Sequence, residues 1–198
     1  MAADREPLHA RRFPEPHGEG LRLRHWDPDS DADVADWLRG RSDPEFLRWN
    51  TPLLAVADFE SARTAMRDYA RKEAEGTCAH FRVGDADSGA ALGHIGLNTI
   101  DRVIRSGRVG YWVLPEARGR LVATRALALV SRWAFTELDL HRLELGHAVG
   151  HAASCRIAQK CGFPAEGTLR GAMFGSGRFD VFRDEHLHAR LATDPEPA

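Results

Sequence analysis

The chain is poor in lysine and cysteine and has no long apolar run, and each shortage removes a class of reading. Only Lys72 and Lys160 are lysines, so arginine carries nearly all the positive charge, a composition bias before it is a functional signal. The three cysteines, Cys78, Cys155 and Cys161, are an odd set without metal-like pairing, and the simplest expectation is reduced thiols. Nothing approaches the ~18 consecutive apolar residues of a membrane helix. The opening MAADREPLHARR lacks the apolar segment of a signal peptide, which points to the cytoplasm and to no membrane partner. Charge excess is missing too: 27 basic and 29 acidic residues leave a formal −2, with no bulk attraction for nucleic acid.

What is present suits one domain, since 198 residues can enclose a substantial core. Residues 1–19 hold Pro7, Pro14, Pro16 and Gly18 with little periodicity and are expected to form a flexible or draped arm. The domain is expected over 20–191, with a tail at 192–198. Leu21 to His25 predicts a strand. DPDSDADVADWL predicts a helix capped by Asp29 or Ser30, with Val34, Trp37 and Leu38 as its stripe. Residues 40–57 are broken by Gly40, Pro44 and Pro52. A second helix is expected over Val56 to Glu75, then a hairpin of Cys78 to Gly84 and Ala90 to Asn98 about the turn DADSG.

The longest ordered pattern runs from Val109 to Leu138, VGYWVLPEARGRLVATRALALVSRWAFTEL. Alternation sets Val109, Tyr111 and Val113 on one face of a strand and Trp112 and Leu114 on the other, and Pro115 ends the ladder. From Val122 the spacing becomes helical through Ala123, Ala126, Leu127, Val130, Ala134 and Leu138. Between them lies ARGRLVA, a turn whose following helix leaves N–H groups free for phosphate oxygens. His141 to Val149 alternates as another strand. HAASCRIAQKCGF, from His151 to Phe163, then predicts a short helix closed by Gly162.

Two of these segments resemble the motifs of the GNAT superfamily of acyl-CoA-dependent N-acetyltransferases. Arg118, Leu121 and Ala123 fall on its pyrophosphate-loop pattern R/Q-x-x-G-x-G/A, with leucine in the place of glycine. Ser154, Lys160, Gly162 and Phe163 match its N-x-x-S-x-x-x-x-x-K-x-G-F pattern, with His151 in the place of asparagine. GTLRG and RDEHLHARL resemble the family's last two strands. The resemblance implies an α/β fold: a single GNAT-like domain with a central mixed, splayed β-sheet flanked by helices. It implies acetyl-CoA, or another acyl-CoA, as donor, no metal, and a small-molecule amine or protein amino group as acceptor. A homodimer is compatible with it, although no heptad pattern shows one. A noncatalytic binding protein, or a cofactor-modified relative on the same fold, is the alternative that Leu121, His151 and Met173 favour.

By the same resemblance the cofactor-binding positions are Val113 through its backbone, Arg118, Gly119, Arg120, Leu121, Ala123, Thr124, His151 and Ser154. Ser154 is the candidate proton donor to the departing thiolate, and a helix-capping hydroxyl is its ordinary alternative. His94 and His147 are candidate bases by residue chemistry, set against strand-face histidines. Glu144 and Glu166 read as solvated or structural acids. In the ribosomal-protein N-terminal acetyltransferase branch a glutamate beyond the Gly-Phe pair deprotonates the amine; Met173 stands there and cannot. His186 and His188 share a strand face, but two histidines do not complete a metal site, and a terminal surface strand is expected.

Overall fold

The computed structural model describes residues 13–53, 56–175 and 177–197. In chain order these form β1 (His17–Gly18), β2 (Leu21–His25), α1 (Asp31–Arg41), α2 (Pro44–Trp49), α3 (Phe59–Ala74), β3 (Ala79–Asp85), β4 (Ala91–Asp101) and β5 (Ser106–Val113). There follow a 3-10 turn at Pro115–Ala117, α4 (Val122–Thr136), β6 (Arg142–Ala148), α5 (Ala152–Lys160), β7 (Ala165–Gly175) and β8 (Arg178–Leu191).

The strands make one sheet in the order β1-β2-β3-β4-β5-β6-β8-β7. Every described neighbour pair is antiparallel except β5 and β6, so the sheet is mixed. That parallel ladder runs from Ser106↔Arg142 to Val109↔Leu145 and stops there, although β5 continues to Val113. Beyond Val109 the two strands part. This gap is the expected splay.

Period-two alternation divides β5 between two cores. Val109, with Tyr111 and Val113 packed beside it, joins the face covered by α4, where Leu127, Val130 and Ala134 meet Phe81, Ile95, Leu97, Leu143 and Leu145. Trp112 and Leu114 join the opposite face with Trp37 of α1 and Ala65 and Met66 of α3. A fully buried leucine or phenylalanine contributes about 1.5–3 kcal/mol relative to exposure, so both layers hold the sheet firmly. Gly40 lets α1 pass directly over the Trp112 ring, which a Cβ there would strike. No helix among the described residues is long and apolar enough to cross a membrane.

Four outcomes differ from, or refine, the sequence reading. Residues 40–57 are not simply broken: α2 forms because the Asp43 side chain accepts from the Phe46 N–H at 2.9 Å and Pro44 sits at the helix start, where a missing N–H costs nothing. β8 is not a terminal surface strand. It lies between β6 and β7, which leaves His188 with 0% exposure. Of the expected N-terminal arm, residues 13–19 drape onto the sheet: Phe13 packs edge-on against Trp133 at 5.6 Å, and β1 pairs with β2. The rest of that arm lies outside the described residues. Ser30 is the α1 cap, as one of the two alternatives had it.

Candidate functional site

The gap between β5 and β6 opens into a cleft of about 460 Å³. Leu114 donates its N–H to Leu92 of β4, so strand alternation turns the N–H and C=O of Val113 to the other edge, towards the gap. Tyr111 and Val113 line the floor, Ala117 to Gly119, Leu121 and the first turn of α4 line one end, and α5 lines the side. Glu45, Phe46, Trp49 and Asn50, from α2 and its C-cap, complete the wall.

Helix ends distinguish this cleft from the rest of the molecule. The N-termini of α1, α2 and α3 are closed by the side chains of Ser30, Asp43 and Asp58. α4 begins at Leu121 and α5 at His151, and neither residue caps its helix. The first N–H groups of a helix have no intrahelical acceptor and sit at the positive end of the dipole. Both uncapped ends border the cleft, which suits it to an anion. Leu121 holds φ 57° and ψ 20°, a left-handed conformation that costs a leucine roughly 1–2 kcal/mol. Its side chain is 58% exposed at the cleft rim, so the leucine shapes the entrance without being packed into the interior.

The basic residues separate into two groups. Arg118 is held against the cleft wall although exposed: its guanidinium pairs with Asp43, and its Nε donates to the Val113 carbonyl at 3.2 Å. Arg120 faces Asp85 at 4.0 Å and is not part of the cleft wall. Arg156 and Lys160 of α5 are. Sequence reasoning assigned them no ligand role, although Ala153, Arg156, Ile157 and Lys160 fall at the i, i+3, i+4, i+7 spacing that puts them on one helix face.

Ser154 is buried and lies behind the wall. Its Oγ is 2.8 Å from the Tyr111 hydroxyl, and Tyr111 is the member of the pair that lines the cleft. Burial raises the phenol pKa, with the Ser154 hydrogen bond opposing, so the phenol stays protonated. Tyr111 was missed; its place on the Val113 face of β5 was the available signal. His151 lines the cleft, stacked on Trp49 at 4.5 Å with the rings 3° from parallel. Burial and the neighbouring His147 lower its pKa to about 4, so it is neutral near pH 7.

Neither proposed histidine base reaches the cleft wall. His94 pairs with Trp112 across the β4–β5 ladder and therefore shares that residue's face. There it accepts from the Trp26 indole N–H at 3.0 Å and stacks on Trp112, and complete burial holds its pKa well below the usual value. His147 sits on the Leu143–Leu145 face of β6, its Nδ1 bonded to the Ala148 carbonyl at 3.0 Å. Burial, with His188 and His186 nearby, also lowers its pKa. Glu144 and Glu166 both bind Arg142, at 2.9 Å and 2.5 Å, the structural role expected of them.

Comparison with known proteins adds a second line. The family model described as "Acetyltransferase (GNAT) domain" matches residues 20–164. YdaF of Bacillus subtilis, whose name proposes a ribosomal N-acetyltransferase, is 34% identical over 89 residues, 45% of this chain. The match spans about half of that relative, 49%. Spermidine N(1)-acetyltransferase of Vibrio cholerae is 30% identical over 117 residues, 59% of this chain and 67% of the relative. The solved structure of Mycobacterium smegmatis RimJ in complex with CoA-disulfide superposes with TM-score 0.76 over 89% of this chain and 85% of its own, at 24% identity, which speaks to the fold.

Proposed function

Because this chain belongs to the GNAT family of acetyltransferases, we propose that its cleft binds acetyl-CoA and that it transfers the acetyl group directly to an amine. The carrying observation is that the two helix N-termini left uncapped, at Leu121 and His151, border the same cleft beside the parted β5 and β6 strands. An anionic, elongated donor fits this set: first-turn N–H groups of α4 suit a pyrophosphate, Arg156 and Lys160 supply cationic contacts, and the Val113 edge offers backbone to an amide-bearing arm. Arg118 donates to the Val113 carbonyl and pairs with Asp43, so its Nε must leave the carbonyl for that edge to bind, and its charge reaches phosphate only by giving up Asp43.

Acetyl-CoA supplies a thioester carbonyl for attack by an uncharged amine. The protein's part is to orient that carbonyl and to provide a proton where the sulfur departs. Tyr111 carries that role: its phenol stays protonated, it faces the cleft, and Ser154 fixes its hydroxyl from behind. The proton it gives is replaced by the one the attacking nitrogen loses. Ser154 is then a positioning residue. The acceptor is an amine of a small molecule or a protein, the two classes that the names of the Vibrio cholerae enzyme and YdaF represent.

Calorimetric titration with acetyl-CoA and with free CoA tests the donor, followed by thiol release over a panel of polyamines, amino sugars and peptides with free N-termini. Saturable binding of both thioester and thiol, with turnover on an amine, is expected. Absence of binding at protein concentrations that register millimolar affinity would sink the proposal.

A further inference from the structure

Behind the cleft, three residues from three elements converge: His147 of β6, Cys155 of α5 and His188 of β8. One donor atom of each lies within 4.8 Å of the other two. None of the three lines the cleft, and the acyl-transfer chemistry does not use them.

The hydrogen bonds around the two imidazoles fix what they present. His147 Nδ1 lies 3.0 Å from the Ala148 carbonyl, and His188 Nδ1 lies 3.0 Å from the Phe163 carbonyl. A carbonyl oxygen only accepts, so each Nδ1 carries the ring proton. In a neutral ring the other nitrogen, Nε2, is then a bare lone pair. The two Nε2 atoms face each other at 3.2 Å. Two lone pairs at that distance repel unless a cation lies between them.

We propose that His147, His188 and Cys155 form a binding site for a borderline-soft divalent transition metal of the zinc class. Two nitrogens at 2.0–2.1 Å from a tetrahedral zinc are about 3.4 Å apart, close to the observed separation. A backbone carbonyl on each Nδ1–H is the outer contact that aims a ligating histidine. Cys155 is half-buried, and its thiol proton leaves as the thiolate binds. Cys78 and Cys161 are buried elsewhere and do not join this group. Three protein donors leave a corner for water or another small donor. The metal would staple the first half of α5, which carries Ser154, to β6 and β8.

The test uses the full chain, reduced and stripped with a chelator, titrated with Co²⁺ by absorption and with Zn²⁺ in competition with a chromogenic chelator. One equivalent should bind, with a thiolate-to-cobalt charge-transfer band and a rise in thermal midpoint. Cys155→Ser should abolish that band and weaken zinc by at least about tenfold, while Cys78→Ser keeps both. His188→Gln should weaken zinc similarly, provided its near-ultraviolet circular dichroism matches wild type. Cys155→Ser is a near-isosteric change at a half-buried position, so it keeps the test decisive if the histidine variant misfolds. The site is overturned if wild type binds no equivalent at micromolar metal, as a shared proton between the rings would give, or if Cys155→Ser binds cobalt and zinc unchanged.

Discussion

The Tyr111 hydroxyl and Ser154 Oγ are 2.8 Å apart, joining the open edge of β5 to the first turn of α5. Of the two hydroxyls only the phenol belongs to a cleft-lining residue. The phenol meets the cleft and the serine holds it.

Tyr111→Phe should therefore lower kcat by about a hundredfold, within the range a lost general acid costs, with KM for acetyl-CoA changed little. Ser154→Ala should cost less, because the phenol remains. Steady-state thiol release over a range of pH checks this. A smaller loss in the tyrosine variant than in the serine variant would reverse the assignment.

Leu121 starts α4 in a left-handed conformation with its side chain at the rim. Leu121→Gly relieves that conformation but loosens the unfolded chain, and the two effects nearly cancel, so the thermal midpoint should move little. CoA affinity should change by less than about threefold. Leu121→Asp should weaken CoA by at least about tenfold, since a carboxylate would compete with the pyrophosphate at the helix end. A large gain in affinity with glycine would mean that leucine obstructs the phosphate seat.

Arg156 and Lys160 share the cleft-facing side of α5. Replacing both with alanine should raise KM for acetyl-CoA roughly tenfold and leave kcat nearly unchanged, the pattern of lost uniform binding. The salt dependence of CoA affinity should flatten with them, which calorimetry at two ionic strengths would reveal.

Burial lowers the His80 pKa to about 4, so the folded chain takes this proton less readily than the unfolded one. The unfolded state binds more protons between its ordinary pKa near 6.5 and about 4, and stability must fall as pH drops through that window. The contribution is complete above about pH 6.5 and loses roughly 1 kcal/mol per pH unit below it. Denaturant unfolding at pH 7 and pH 5 should show a smaller drop for His80→Gln than for wild type. Equal drops would mean that this ring does not control the slope.

Local pattern carried far in this chain. Alternation placed Val109, Tyr111 and Val113 opposite Trp112 and Leu114, and the two cores confirm the division. The spacing of two motifs led to the family that residues 20–164 match. Short-range signals failed where a cap or a sheet neighbour decided the outcome. Asp43 and Pro44 started a helix in a stretch that read as broken, and β8 slipped inside the sheet.

The sequence by itself determined the elements, their faces and the turn-to-helix motif, because those depend on periodicity and on residues within a few positions of one another. Tertiary structure decided which groups share a space. It placed His94 with Trp112 and away from the cleft, and it set Tyr111, separated from Ser154 by the whole of α4 and β6, against that serine. It also set the Nε2 atoms of His147 and His188 face to face. The physical reason is that strand order and splay fix such meetings, and both arise from packing between residues that are distant in the chain. The Val109–Leu138 stretch therefore gives strand, turn and helix in order, while the parted edge beyond Val109 and the two uncapped helix ends are what gather around one cleft.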